Sequence, residues 1–187
     1  VYAGHRIYEG KPGLKGLPAT FAGDKHSGAD NDNKVYTLEI DALDPCIGLG
    51  ATLFYSVFPE QDVITRSVKL KNNSDKNIFI TKVMSAALDL PDDGYELLSL
   101  HGSWARERKI EFRKIGYGKQ SVGSIKGKSS HQEHPFIALV DNGASQKSGH
   151  VYGFNFVYSG NFLAQVEKNQ FDSLRVLMGI HPENFEW

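Results

Sequence analysis

The sequence predicts an all-β fold in which antiparallel strands pack as a sandwich. Two-residue alternation of apolar and polar side chains recurs along the chain, and runs of β-branched and aromatic residues are frequent. Gly, Asn, Asp or Ser separates these runs, whereas the 3.6-residue periodicity of helices is scarce. Many short strands divided by such turns are typical of a β-sandwich or a β-barrel.

Two strands are predicted in the first third of the chain. Residues 35–41 alternate, with apolar side chains such as Leu38 on one face and polar ones such as Thr37 and Glu39 on the other. We expect the polar face to lie in water. Residues 51–58 are apolar on both faces, which predicts a central strand that marks the core.

A hairpin is predicted around the cluster Asn72–Asp75. Asn, Ser and Asp side chains bond to nearby backbone and tolerate left-handed conformations, so they favour turns. The residues on either side, 63–70 and 78–84, have the composition of strands. We therefore expect these two segments to pair with each other.

Later strands are predicted at 110–113, 136–140, 151–158, 162–167 and 174–178. Segment 151–158 has four aromatic side chains on one face, and these are expected to lie in the core. They are Tyr152, Phe154, Phe156 and Tyr158. Two stretches rich in Gly, Ser and other polar residues are predicted as long loops, Gly23–Asn33 and Gly116–Ser130.

Bulk properties exclude several classes of partner. At 187 residues the chain can bury one substantial core, so we expect a single domain over residues 1–187. Its 21 basic and 22 acidic residues leave a formal charge of -1, and nucleic acid and anionic lipid are therefore not expected partners. The longest apolar runs fall far short of the ~20 residues of a membrane helix.

The single cysteine, Cys46, cannot form an internal disulfide, which favours the cytoplasm over an oxidising compartment. Because a thiolate nucleophile needs a positioned base that the sequence does not identify, Cys46 is expected to be buried or incidental. The sequence begins at Val1 rather than methionine, so we expect an excised part of a longer protein that has lost its leader.

Other candidate chemistries are weak. His131 and His134 resemble metal ligands, but Pro135 follows directly and no helix presents both rings on one face, so a loop is expected and no metal site. Asp89, Asp92 and Asp93 lie beside Pro and Gly and are expected to form a turn rather than a catalytic pair. No cofactor is expected.

The segment Ser103–Arg108 is the strongest candidate for binding. On a regular strand Trp104, Arg106 and Arg108 would project from one face, which would place an aromatic platform beside two guanidinium groups. Such a platform suits a sugar or a protein surface. The alternative is that Trp104 fills the core while the arginines pair with surface carboxylates.

Several blocks of residues, in order along nearly the whole chain, together resemble the N-terminal domain of glycoside hydrolase family 36. The blocks are His5–Pro12, Gly16–Thr20, Asp62–Ser67, Ala87–Pro91, Trp104–Arg108, Ser129–Gln132, Pro135–Phe136, Tyr152–Phe154, Val157–Phe162, Gln170–Phe171 and Gly179–Pro182. The resemblance implies an antiparallel β-supersandwich of the galactose-mutarotase type. In the parent enzyme this domain precedes a catalytic (β/α)₈ barrel that is absent from these residues.

The resemblance also implies the parent's activity, retaining hydrolysis of terminal α-galactosides such as melibiose and raffinose. The two catalytic aspartates of the family lie in the barrel, so no catalytic residue is assigned here and the chain alone is expected to be inactive. Relatives that act on N-acetylgalactosaminides or transfer galactosyl groups are alternatives. So are an autonomous carbohydrate-binding module and a standalone mutarotase-like enzyme.

The expected partners are the parent's own barrel and, since family members often form tetramers, further copies of the parent. The substrate is expected to reach this chain only through the parent. We expect that at least one of two segments faces the barrel or a neighbouring subunit. These segments contain the candidate site residues Trp104, Arg106, Arg108, Ser129, Ser130, His131 and Gln132.

Overall fold

A computed structural model describes residues 1–16 and 34–183 of the chain. These residues form twelve β-strands and one short 3₁₀ helix, which confirms the predicted all-β class. The chain divides into two compact units, Val1–Phe79 and Ile80–Glu186. The predicted loop Gly23–Asn33 lies outside the described residues. In the described ranges, no helix is long and apolar enough to cross a membrane.

The first unit is an antiparallel meander. Its strands lie in chain order, β1 (Tyr2–Glu9), β2 (Tyr36–Asp44), β3 (Leu49–Phe58) and β4 (Val63–Asn72). The 3₁₀ helix Pro59–Gln61 connects β3 to β4 and ends at Asp62, whose backbone is left-handed. The strands predicted at 35–41 and 51–58 are thus confirmed, whereas β1 was not predicted.

The prediction of a wet polar face on β2 is wrong. Thr37 is fully buried and Glu39 is 7% exposed, while Tyr36 on the opposite face is 44% exposed. The buried polar groups are hydrogen-bonded, because the Thr37 hydroxyl donates to the Gly10 carbonyl at 2.6 Å and the Glu39 carboxylate accepts two bonds from Arg6 at 2.9 Å. Hydrogen bonding removes most of the cost of burying such groups.

The predicted hairpin around Asn72 is also wrong, although its turn chemistry is present. The Asn72 side chain accepts a bond from the backbone N–H of Ser74 at 2.9 Å and donates to the Lys76 carbonyl at 2.7 Å. However, β4 pairs along its length with β3, which precedes it, and residues 78–84 form no strand. The turn therefore ends the sheet, and the chain continues into the second unit.

The second unit contains two sheets with antiparallel pairing. The first has the order β10-β9-β6-β7, built from β6 (Glu96–Ser103), β7 (Arg106–Lys114), β9 (Glu133–Val140) and β10 (Val151–Asn155). The second has the order β11-β12-β5, built from β5 (Ala86–Pro91), β11 (Phe162–Lys168) and β12 (Ser173–Ile180). A further strand, β8 (Gly118–Ser124), runs beside β11.

Side chains from both sheets of the second unit meet in an apolar core. Leu97, Ile137 and Leu139 extend from one sheet, while Phe162 and Val176 extend from the other. This arrangement is a β-sandwich. The prediction that residues 51–58 mark the core is wrong, because no β3 residue belongs to this buried cluster.

The five later strands were predicted with mostly shorter bounds, whereas β5, β6 and β8 were not predicted. β8 occupies part of the segment 116–130 that was predicted as a loop. Phe154 and Phe156 pack against the core as expected, while Tyr152 is 42% exposed. β8 contains several turn-forming Gly and Ser residues, so its sequence alone does not indicate a strand. Only its position beside β11 shows that it is extended.

Candidate functional site

The hairpin of β6 and β7 presents Trp104 at its tip. Trp104 and Ala105 form the turn, and the Trp104 side chain is 91% exposed. Ala105 has a left-handed backbone (φ 62°), and its N–H donates to the Glu107 carboxylate at 2.8 Å. The interpretation of Trp104 as a core residue is therefore wrong.

A bulge follows the turn. Ser103 lies opposite Arg106 and His101 opposite Lys109, so the single residue Gly102 faces two residues of β7. One of these two, Arg108, has a φ of 56°. The three predicted platform residues consequently do not share one face of a regular strand, because a turn and a bulge interrupt the two-residue alternation.

The second predicted segment, Ser129–Gln132, lies beside the base of this turn. The Gly102 N–H donates to the Gln132 carbonyl at 3.3 Å, and the Lys126 ammonium donates to the Gln132 side-chain oxygen. The Ser129 N–H donates to the Ser159 carbonyl at 2.8 Å. The fold thus brings both predicted segments, which are more than twenty residues apart, to one end of the second unit.

Basic groups surround this end. Arg106, Arg108 and Lys126 are exposed there. Burial lowers the pKa of His134, and the nearby charges of Arg108 and His131 lower it further. Both effects favour the neutral form of His134. A surface with an exposed indole, guanidinium groups and polar amides can contact either a saccharide or another protein.

The structure also shows the surroundings of the metal-ligand and cysteine candidates. In the part of the chain that the structure describes, no three His, Cys, Asp or Glu residues are grouped so as to hold a metal. Cys46 is exposed in a turn, where its N–H donates to the Asp44 carboxylate at 2.9 Å.

The predicted aspartate turn is partly confirmed. Asp92 accepts a bond from the Gly94 N–H at 3.0 Å, as a turn former does, and also contacts the Lys168 ammonium at 2.5 Å. Burial raises the pKa of Asp92, but the bonds from Lys168 and the Gly94 backbone outweigh it and lower the pKa overall. Asp89, by contrast, lies in β5 rather than in the turn, and its pKa is lowered by the paired guanidinium of Arg175.

A polar cleft on the inward side of the β6–β7 pair was not predicted. His101 lies between Ser99, whose hydroxyl is 2.7 Å from Nε2, and Glu133, whose carboxylate is 3.1 Å from Nδ1. Glu111 approaches the same ring at 3.6 Å. These residues line one end of the sandwich, next to its apolar core.

Arg113 reaches into this cleft, which has a volume of about 420 Å³ and is also lined by Glu133, His181 and Glu183. The register places Arg113 opposite the buried Leu97, so both side chains lie on the inward face. The sequence did contain a signal, since polar residues replace apolar ones at the inward positions Ser99 and His101. Without the sheet register, however, the inward positions could not be identified.

Comparison with known proteins shows what the whole chain is similar to. The family model described as glycosyl hydrolase family 36 N-terminal domain matches residues 1–187. Alpha-galactosidase AgaA of Geobacillus stearothermophilus is 46% identical over the full chain, and alpha-galactosidase 1 of Pediococcus pentosaceus is 42% identical. In each case the chain spans 25% of the relative's length.

Solved structures agree with this similarity. The crystal structure of AgaA matches all of the chain with a TM-score of 0.91 over 25% of its own length. The alpha-galactosidase of Lactobacillus brevis matches with a TM-score of 0.92 at 40% identity, again over all of the chain and 24% of that structure. These likenesses confirm the predicted antiparallel β-supersandwich class.

Proposed function

Because the chain belongs to the N-terminal domain family of glycosyl hydrolase family 36, we propose that it is a noncatalytic supporting domain of an α-galactosidase. The observation that carries this proposal is the family match over all 187 residues, combined with relatives of about four times that length. The remaining length of such a parent provides room for a catalytic barrel. Residues 1–187 then act together as one domain that supports the barrel.

The parent is proposed to hydrolyse terminal α-galactosides such as melibiose and raffinose with retention of configuration. A variant of AgaA from Geobacillus stearothermophilus has been crystallised in complex with raffinose. Retaining hydrolysis requires two closely spaced carboxyl groups, one as nucleophile and one as acid and base. We assign both to the parent's remaining domains. A parent specific for N-acetylgalactosaminides or one that transfers galactosyl groups is the alternative.

The activity proposal is tested by comparing the chain with its full-length parent. Full-length protein should release galactose from melibiose, raffinose and an aryl α-galactoside, while the 187-residue chain should release none. An aryl α-N-acetylgalactosaminide and an acceptor sugar distinguish the alternative specificities. Turnover by the chain that disappears when one of its own carboxylates is replaced would contradict the proposal.

We further propose that the end of the second unit formed by Trp104, Arg106, Arg108 and Ser129–Gln132 contacts the barrel or a neighbouring subunit. An exposed tryptophan next to arginines is typical of interface anchors, whose truncation costs about 2 kcal/mol or more of binding energy. The full-length protein would then cover a surface that this chain exposes, and the parent would be an oligomer in the cytoplasm.

Trp104→Ala and Arg106→Ala in the full-length protein test this contact. Both should weaken assembly or lower turnover, while the sheet content of the isolated 187-residue chain stays unchanged by circular dichroism. Arg175→Ala is the matched control, because Arg175 is an exposed arginine on β12 that pairs with Asp89. Unchanged assembly and turnover in both variants would show that this end is scaffold.

An autonomous carbohydrate-binding module is the second candidate, and the exposure of Trp104 is the observation that favours it. In this case Trp104→Ala would abolish binding of the isolated chain to immobilised α-galactosides. It would leave the assembly of the full-length protein intact. The supporting role predicts the opposite pair of results.

A further inference from the structure

One face of the β1–β4 sheet is apolar across its strands, and we call it the apolar sheet face. Directly opposite residues of antiparallel strands project from the same face, so the register identifies its members. Two rows across β2, β3 and β4 are Tyr36, Val57, Ile64 and Ile40, Leu53, Val68. Ile7 and Leu38 belong to the row between them. The face thus has the composition of one inner face of a β-sandwich.

This apolar sheet face is open to water. Ile7 and Ile64 are 67% and 62% exposed, and Tyr36 is also exposed. Thr37 and Ser56 lie on the opposite face, where both are buried and their hydroxyl groups are 2.7 Å apart. An antiparallel sheet with one wet face normally turns its polar residues to the water. Here the exposed face is the apolar one, as in a sheet that lacks a packing partner.

The extent of the face is that of a packing surface. Neighbouring strands lie about 4.8 Å apart, and successive residues on one side of a strand lie about 6.8 Å apart. Four strands and four rows therefore span about 15 Å by 20 Å. Soluble proteins rarely expose a contiguous apolar patch of this size unless it contacts another surface.

The distribution of charge indicates which kind of surface fits. Glu9 and Arg66 lie on the edge strands β1 and β4, and the Arg66 guanidinium lies 4.5 Å from the centre of the Tyr55 ring. From Tyr36 to Ala42, the central strand β2 contributes no charged side chain to this face. A saccharide site needs placed hydrogen-bonding groups, and an anionic lipid surface needs a cluster of Lys and Arg. An apolar centre with a polar rim is instead typical of contacts between protein surfaces.

We propose that a part of the parent outside residues 1–187 packs on the apolar sheet face as a second apolar layer. This inference rests on the proposed function, and the chain spans only 25% of the length of a full-length relative. Surfaces so depleted of charge resemble permanently buried interfaces. A layer of the same polypeptide remains at high effective concentration and covers the face permanently. A second copy of the chain would cover it only at sufficient protein concentration.

Cysteine labelling of the full-length parent tests this contact. Cys46 is exposed and is first replaced by serine. Ile64→Cys then places a thiol on the apolar sheet face, and Lys69→Cys places one on the opposite face of the same strand as the matched control. Both positions are exposed, so both should react rapidly with a maleimide in the 187-residue chain. In the full-length protein, Ile64→Cys should react about tenfold more slowly or less, because labelling then requires local opening.

Lys69→Cys should keep its rate in the full-length protein, and mass spectrometry of peptides locates the label in each case. Ile7→Cys provides a second position on the apolar sheet face in case Ile64→Cys does not fold. Labelling of both apolar positions at the rate of the 187-residue chain would overturn the proposal. So would equal slowing of Lys69→Cys, because the protection would then not be specific to the apolar face.

A second copy as the occupant gives a different result. Protection of Ile64→Cys would then appear in the 187-residue chain as well and would increase with its concentration, which would also overturn the proposal. Release of galactose by the full-length protein is measured separately. An active parent that is labelled rapidly would refute this contact alone, whereas an inactive parent that is protected would refute the proposed activity alone.

Discussion

At the scale of single residues, neighbours decide which protonation state is stable, and His134 is the clearest case. Its ring is partly buried on β9 and is close to the charges of Arg108 and His131, so its pKa lies below the ordinary value of 6.5. The unfolded chain then binds more protons at this residue than the folded chain does. The stability contribution of neutral His134 is fully present above the ordinary pKa and is lost as the pH falls from there through the lowered pKa of the folded chain.

Replacing His134 with glutamine should therefore flatten part of the pH dependence of stability. Between about pH 7 and pH 5, the wild type should lose more unfolding free energy than His134→Gln, because the variant has no imidazole to protonate. Urea unfolding at several pH values in this interval measures the difference. Equal losses in the two proteins would show that protonation of His134 does not oppose folding.

At the scale of elements, the β6–β7 hairpin depends on a close approach that requires glycine. A Cβ atom added to Gly102 would lie 2.2 Å from the Arg106 carbonyl oxygen and 2.9 Å from the Glu107 Cα. Both contacts are with backbone, which cannot move aside as a side chain can. Gly102 therefore permits the bulge that ends in the exposed Trp104 turn.

Gly102→Ala should destabilise the second unit by about 2 kcal/mol, the middle of the range for added atoms in tightly packed places. Gly116→Ala is the matched control, since its Cβ would meet only the flexible side chain of Gln120, at 3.7 Å. Thermal melts of the two variants test this difference. A Gly102→Ala protein as stable as the control would mean that the bulge rearranges without cost.

The two ion pairs formed by β5 and the turn after it differ in burial. They should therefore differ in how much each contributes to the unfolding free energy. Asp92 and Lys168 are partly buried, with side chains 8% and 17% exposed, whereas Asp89 and Arg175 are both more than half exposed. Removing one partner of a pair that is shielded from water leaves the other charge poorly compensated, while exposed pairs contribute little. Lys168 retains Asp172 at 3.2 Å, which limits the loss.

Asp92→Asn should consequently lower the unfolding free energy by about 2 kcal/mol at neutral pH. Asp89→Asn should leave the denaturation midpoint nearly unchanged. Because the folded pKa of Asp92 is lowered, its contribution should be present above the ordinary carboxyl value and disappear in acid. Urea unfolding of both variants at neutral and acidic pH checks this, and equal midpoints at neutral pH would contradict it.

At the scale of the whole molecule, the apolar core belongs to the second unit. Every residue of the buried cluster lies between Tyr95 and Met178. In the first unit the buried residues within the described ranges are Val35 and the polar residues Thr37, Glu39 and Ser56. A sheet with so little fully buried apolar surface gains little from the hydrophobic effect by itself.

Residues 80–187 expressed alone should therefore fold and melt cooperatively, whereas residues 1–79 alone should not. Circular dichroism and dispersion of amide proton signals distinguish a folded sheet from an unfolded chain. Cooperative melting of the first unit alone would show that its hydrogen-bonded polar face is sufficient for stability. Failure of the second unit to fold would show that its core needs the rest of the chain.

The sequence by itself determined the fold class, most of the strands and the family. Two-residue alternation and turn residues are local properties of the chain, and blocks of similar residues retain their order, so both can be identified without coordinates. The sequence also identified the two segments at the Trp104 end as the principal site candidates.

Tertiary structure alone decided which faces are buried, which strands pair and which distant residues meet. Glu39 was expected in water because alternation distinguishes the two faces of a strand without determining which of them is covered. β4 pairs with the preceding strand, which local turn chemistry around Asn72 could not determine. Arg113 and Glu183 lie seventy residues apart in the chain, and they line one cleft only because the sheets bring them together.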